Sequence, residues 1–216
     1  MKKLLAILLA VAMVACMLCL ASCDSGKEPA KETDPPKGTD PATDPATDPA
    51  TEAETVDPAL IYNEKYLKLT EKVDEGSVEG AGAKEDGSED AVKLFDGDTA
   101  TKWCQIVKTE DGTTTIQWAM TTATKITGYV FASANDSPER FPADWVLYGS
   151  NDGEKWTEVD TVEGATRVEE YFTESEVYEC DAPAAYSNYK IHFTKNGTEG
   201  NIIYQISELI LLGDLA

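Results

Sequence analysis

The 216 residues hold 18 basic against 40 acidic side chains, a formal net charge of −22 at pH 7. Such a field repels phosphate backbones and anionic lipid head groups, which excludes nucleic acid and a polybasic membrane contact as partners. Only one histidine, His192, is present, and that removes most zinc and histidine-base chemistry.

The chain starts Met1-Lys2-Lys3, runs apolar from Leu4 to Leu20 and reaches Ala21-Ser22-Cys23. A basic start, an apolar middle and small residues at the end describe a secretory signal over residues 1–22. A plain membrane anchor is the alternative, since about 20 apolar residues can span a bilayer. The ending Leu20-Ala21-Ser22-Cys23, followed at once by polar and proline-rich sequence, resembles the lipobox of bacterial lipoproteins. That resemblance implies a lipidated Cys23 as first mature residue, on the outer face of a bacterial cell membrane. Each buried acyl methylene contributes ~0.8 kcal/mol, so two or more chains hold stably. Cys16 and Cys19 lack small residues before them and read as apolar filler.

Residues 23–57 show no apolar periodicity. Thr39-Asp40-Pro41-Ala42 repeats as 43–46 and 47–50, and proline every fourth residue blocks helix and ladder alike. The segment reads as a disordered stalk that would reach about 100 Å at ~3.1 Å per residue in polyproline II. A ligand for a proline-recognition domain is the alternative.

Residues 58–216 alternate short apolar-polar runs with turn residues, and no stretch has a helical period. Strands are predicted at 114–120, 125–133, 145–150, 155–162, 168–179, 189–194 and 202–212. Ser150-Asn151-Asp152-Gly153 marks a hairpin turn. Seven or eight short strands in this length predict an all-β sandwich. Period 2 puts Tyr189, Ile191 and Phe193 on one face of their strand, and Lys190, His192 and Thr194 on the solvent face.

Four blocks follow one another in a set order: LFDGDTATKW (94–103), TTTIQWAM (113–120), WVLYGSNDGEKWTEV (145–159) and YQISELILLG (204–213). Together they resemble the discoidin, or coagulation-factor type C, domain, whose bacterial relatives include the family 32 carbohydrate-binding modules. The resemblance spans about residue 65 to 213 and implies a galactose-binding-like jelly-roll β-sandwich. It also implies core positions for Trp103, Trp118, Trp145 and Trp156, which leaves few indoles for sugar stacking.

The run from Leu94 to Thr101 packs two carboxylates, a glycine and two hydroxyls into eight residues. Hard oxygen donors on a tight turn suit Ca²⁺, which takes six to eight oxygens; an ordinary Asp-Gly turn is the alternative. The family resemblance implies a structural calcium ion. Asp96 would give a carboxylate, Leu94 and Asp98 backbone carbonyls, Thr101 its hydroxyl and carbonyl, and Glu208 closes the shell from the last strand.

Candidate ligand residues fall on two loops. In the first, 134–144, Arg140 is one of only two arginines; its planar fork suits vicinal hydroxyls, with Asn135 and Asp136 as complementary donor and acceptor. Arg140 paired to Asp136 or Asp144, merely pinning the loop, is the plainer reading. Phe141 is either an exposed stacking ring or a hydrophobic plug. The second loop, 195–201, adds Asn196 and Asn201, with Tyr204 just beyond. His192 matches none of the loop positions where sugar-binding relatives carry a histidine.

Cys104 and Cys180 are either a disulfide or two buried thiols. No nucleophile elbow, zinc-binding H-E-x-x-H or phosphate loop is present, and the expectation is no catalysis. The sequence therefore predicts a monomeric surface lipoprotein, attached to the membrane through its lipid alone. It displays a non-catalytic, calcium-braced module that binds glycan. The alternative is an adhesion or accessory module whose partner is a surface protein.

Overall fold

The computed structural model describes residues 56–215. The signal segment, Cys23 and nearly all of the stalk lie outside the described residues.

Twelve strands form the described fold. They are β1 (Ile61–Tyr62), β2 (Tyr66–Lys68), β3 (Val73–Glu79), β4 (Trp103–Ile106), β5 (Thr114–Lys125) and β6 (Gly128–Ala132), then β7 (Pro142–Ser150), β8 (Thr157–Val162), β9 (Tyr178–Glu179), β10 (Ala185–Asn196), β11 (Ile203–Ile206) and β12 (Glu208–Asp214). One sheet has the order β1-β2-β12-β6-β9, the other β3-β5-β10-β7-β8, and β4 pairs with β11 in a short ribbon. Pairing is antiparallel throughout. The all-β jelly-roll sandwich expected from the sequence is the fold observed.

Side-chain alternation explains the layers. On β5, Thr114, Ile116, Trp118 and Met120 are buried while Thr115, Gln117 and Ala119 turn outward. On β10, Tyr189, Ile191 and Phe193 are buried, and His192 on the outer face meets Thr115 Oγ1 at 2.9 Å through Nδ1. β6 is buried at every residue because both its faces are covered. Tyr129 and Phe131 enter the main core, and Val130 packs with Tyr62, Tyr66 and Leu212 on the other side. Gly149 on β7 leaves room for the Tyr186 ring, since a Cβ there would collide with Tyr186 Cδ2.

The core is an aromatic array centred on Phe131. Its ring lies 5.0 Å from Trp145, 5.7 Å from Tyr129, 5.9 Å from Tyr178, 6.0 Å from Phe193 and 6.1 Å from Phe141. Tilted and edge-on contacts of this kind add about 0.5–1.5 kcal/mol each beyond area burial. A buried polar chain threads the array: Trp145 Nε1 donates to Tyr129 Oη at 2.7 Å, and that hydroxyl donates to Asp160 Oδ2 at 2.6 Å. Burial first, and the Asp160 charge second, hold the Tyr129 phenol well above its usual range.

Several expectations need correction. Of the strand predicted at 168–179 only Tyr178–Glu179 forms, with one further bridge between Ala132 and Glu174. Side-chain bonds to Ser133 and a left-handed Phe172 break the ladder upstream. The run 202–212 is two strands, because Ser207 turns aside to bond Ala132 and Ser133. Trp156 is only half-buried, under Lys190 Nζ at 4.3 Å, while the other three indoles are core as expected. Cys104 and Cys180 are both free, and burial pushes the Cys180 thiol up to about 12.

Replacing Tyr129 by Phe leaves Trp145 Nε1 and Asp160 buried without their shared partner. The expected loss is about 1–3 kcal/mol, read as a lower denaturant midpoint at unchanged slope.

Candidate functional site

β12 is held against β6 in a register that sets Glu208 opposite Ala132. Ser207 fixes that register from both its ends: its amide donates to Ala132 O at 2.8 Å and its hydroxyl to Ser133 O at 2.9 Å. The sequence-predicted cation residues meet there. Leu94 ends a short 3₁₀ turn (Ala91–Leu94) and is fully buried, anchoring the loop that carries Asp96, Asp98 and Thr101.

Within that loop Thr101 Oγ1 donates to Asp96 Oδ2 at 2.9 Å, the Asp98 amide donates to Asp96 Oδ1 at 3.1 Å, and the Thr101 amide donates to Asp98 O at 2.9 Å. Lys93 Nζ lies 3.3 Å from Asp96 Oδ2. Burial raises the Asp96 carboxyl, but the Thr101 hydroxyl, the Asp98 amide and Lys93 outweigh it and hold the group below its ordinary value. Glu208 shows the opposite. Burial, and then the Asp96 charge beside it, push its carboxyl up from 4.5 to about 8, and its Oε1 is buried with no hydrogen-bond partner. A buried carboxyl oxygen without a partner, next to a second carboxyl group, could accept a hard cation. Among the described residues no three His, Cys, Asp or Glu side chains converge, so a hard cation here would need hydroxyl and carbonyl oxygens as well.

The two predicted ligand loops also meet. The Gly197 amide donates to Phe141 O at 2.9 Å, and Asn201 Nδ2 to Glu139 O at 3.3 Å. Most of their polar side chains are taken up in this joint. Asn196, 2% exposed, donates through Nδ2 to Asn201 O and Ile203 O and is not available to a ligand. Tyr204, 1% exposed, bonds Gly112 O through its hydroxyl. Phe141, 2% exposed, is the plug of the two readings, set edge-on to Phe131. Asn201 keeps partial exposure, but both its polar atoms serve the loops.

Asn135, Asp136 and Arg140 are different. Asp136 Oδ1 accepts from Lys102 Nζ at 2.9 Å and from Gln205 Nε2 at 2.7 Å, and Arg140 Nη1 donates to Gln205 Oε1 at 3.1 Å. Arg140 stands 4.0 Å from Asp136 Oδ1, so it pins this cluster more than it reaches outward. The Lys102 ammonium holds the Asp136 carboxyl below its ordinary value against the effect of burial. A hollow of about 380 Å³ opens beside them, lined by Asn135, Asp136, Lys102, Thr101 and the Lys84–Glu89 ion pair. Asn135 is exposed at its rim. Thr101 therefore belongs both to the cation loop and to the wall of the hollow.

Lys84, Glu89, Lys102 and Gln205 were not candidates from sequence. Nothing in their spacing marks them, because two separate segments and β11 bring them together. A larger hollow of about 580 Å³ lies beyond the 195–199 segment, floored by Ala143 and Ala165 and edged by Arg167, Glu169, Lys195 and Glu199.

The model of the F5/8 type C domain family matches residues 77–208, more than half of the chain, and the chain belongs to that family. Solved structures of similar fold include the Clostridium perfringens module CpGH89CBM32-5 in complex with GalNAc-β-1,3-galactose, at 13% identity and TM-score 0.52, covering 67% of this chain and 98% of that one. A second is CBM32-3 from a family 31 glycoside hydrolase of Clostridium perfringens, at 17% identity and TM-score 0.53, covering 68% and 97%. A third is the F5/8 type C domain of a Bacteroides fragilis protein, at 14% identity and TM-score 0.54, covering 65% and 92%. No curated protein sequence matches the chain.

The raised Glu208 carboxyl gives a pH dependence with a definite sign. Its folded value, about 8, lies above the ordinary 4.5, so its stabilisation is complete below 4.5 and is lost as pH rises through 8. In chelator, the melting temperature is expected to fall from about pH 5 to pH 8, and Glu208→Gln is expected to flatten that slope.

Proposed function

We propose that the chain is a cell-surface lipoprotein whose F5/8 type C domain binds glycan without catalysis, braced by a structural calcium ion. The observation that carries the glycan reading is the fixed polar cluster Lys102–Asp136–Gln205–Arg140, of which Lys102 and Asp136 line the 380 Å³ hollow while Gln205 and Arg140 hold Asp136 from behind. Donors and acceptors already locked by one another present sugar hydroxyls with a preset pattern at little ordering cost. Asn135 offers an amide donor and acceptor at the same rim, and Lys84 and Glu89 face it across the opening. Similar folds whose names record bound GalNAc-β-1,3-galactose are in keeping with this reading.

Calcium would be held by Asp96, Glu208, the Leu94 and Asp98 carbonyls and the Thr101 hydroxyl and carbonyl. When bound it would supply positive charge beside the buried Glu208 carboxyl and the exposed Asp96 carboxylate. Thr101 links ion and hollow, so ordering the loop orders one wall of the ligand site. The lipid on Cys23 and the acidic stalk would hold this domain away from the outer face of the membrane.

Two measurements test the proposal. Calcium at a hundredfold over Kd is expected to stabilise the chain by about 2.7 kcal/mol, and Asp96→Ala to abolish that gain. On a glycan array in calcium, the wild type is expected to bind and Asp136→Ala, assayed well below its own melting temperature, to bind at least roughly tenfold more weakly. Silence of a calcium-stabilised wild type across the array would overturn the glycan reading and leave a protein partner as the ligand.

A further inference from the structure

The loop that carries Asp96 already holds a cation of its own. Lys93 lies in the 3₁₀ turn Ala91–Leu94, three residues before Asp96, and its Nζ stands 3.3 Å from Asp96 Oδ2. None of the other six ion pairs among the described residues involves Asp96 or Glu208. The stem of this lysine starts from a fixed place. The Ala91 amide donates to Gly80 O at 3.0 Å and the Lys93 amide to Asp90 O at 3.0 Å. Ala91 and Leu94 are buried beneath the turn, and Lys93 between them is half-buried.

The two carboxyl groups of the site are served unequally. Asp96 Oδ1 faces the Asp98 amide at 3.1 Å and Thr101 Oγ1 at 3.1 Å. Asp96 Oδ2 faces Thr101 Oγ1 at 2.9 Å and Lys93 Nζ at 3.3 Å. Each oxygen thus meets two donor atoms, with Thr101 shared, which is the number its lone pairs accommodate. Glu208, 4% exposed, keeps Oε1 without any partner. The lysine therefore satisfies Asp96 and leaves the buried glutamate unmet.

A metal ion can reach Asp96 only if one of those donors withdraws. The Asp98 amide belongs to the backbone of the turn. The Thr101 hydroxyl can turn its proton to Asp98 O, 3.1 Å away, and offer the ion a lone pair. Lys93 is different, because an ammonium only donates and repels a second cation. It has to leave.

We propose that Lys93 is the resident counter-ion of this site and that calcium enters by displacing its ammonium from Asp96 Oδ2. Lys93 thereby sets the calcium concentration at which the loop fills. The displacement presupposes the calcium reading and is independent of the glycan reading. A site blocked for about four-fifths of the time binds about fivefold more weakly than an open one.

The test is calorimetric titration of the full chain, solubilised in detergent, with calcium chloride at one pH and one salt concentration. Lys93→Met keeps an unbranched stem without the charge, and Lys93→Ala is a second neutral variant. Both are expected to bind calcium about fivefold more tightly than wild type. Lys93→Arg restores a cation and is expected to stay within about twofold of wild type. Lys108→Met is expected to do the same, since Lys108 is exposed and has no ion pair among the described residues. That variant controls for the change in net charge alone. At one calcium concentration, the rise in melting temperature over chelator is expected to be larger in Lys93→Met than in wild type. Wild type binding calcium as tightly as both neutral variants, or more tightly, would overturn the displacement and leave the calcium site standing. Tightening by Lys93→Arg or Lys108→Met equal to that of Lys93→Met would overturn it as well. If neither wild type nor any variant binds calcium, the calcium reading itself falls and the displacement falls with it.

Discussion

The pairing of β6 with β12 is the constraint on which the rest of this molecule depends. It sets Glu208 opposite Ala132 and leaves Ser133 at the sheet's margin. A slip of one residue would send every side chain of β12 to the opposite face, moving Glu208 out of its buried position and Leu209 and Leu211 out of the core. Ser207, tied to both Ala132 and Ser133, prevents that slip locally. The cation loop, the 134–144 loop and the 170–173 segment all take their positions from these few residues. Three features distant in sequence therefore share one end of the sandwich.

The same end shows how polar residues are divided between scaffold and surface. Asn196, Asn201 and Tyr204 are the residue types that bind sugars, yet here their donors and acceptors close the joint between two loops. A loop with little apolar burial must be fixed by hydrogen bonds, and the side chains that fix it are lost to any ligand. Arg140 stands between these roles, bonded to Gln205 and 4.0 Å from Asp136. Its neighbours at the hollow, Lys102 and Asp136, are locked to each other and yet lie along an open surface. Rigid and reachable together are what a binding site needs, and only part of the predicted set has both properties.

The sheets were legible in the sequence wherever period 2 ran for five residues or more, as in β5, β7 and β10. The strands that escaped are β1, β2, β3 and β4. The first two and β4 are too short for a period to register, and β3 runs through exposed acids and a glycine with little alternation. The closeness of the Asp96 loop to Glu208 was legible because a family pattern fixed both the loop and its distant glutamate, and the fold brings them together. The polar cluster was not, since Lys102, Asp136 and Gln205 come from three segments with no common spacing. In the sequence Phe141 stands open between two readings, and Tyr204 is placed wrongly, for a related reason. An aromatic at a loop edge reads the same whether its ring turns in or out, and only packing against Phe131 or Trp103 decides.

Phe172 shows what such decisions cost. A β-rich stretch with Val168, Tyr171 and Phe172 invites a strand, and the backbone refuses it because Ser133 takes both the Glu170 carbonyl and the Thr173 amide. A single serine at the strand's end thus outweighs the local β-propensity of several residues, since it satisfies backbone groups that a ladder would otherwise have paired. The left-handed aromatic and the orphaned oxygen of Glu208 both adjoin the end of β6, at Ser133 and Ala132. Phe131, with five rings around it, immediately precedes the strand end that bears them. Strain of about 1–3 kcal/mol persists only where surrounding packing over-determines the backbone, and here that packing lies one or two residues away.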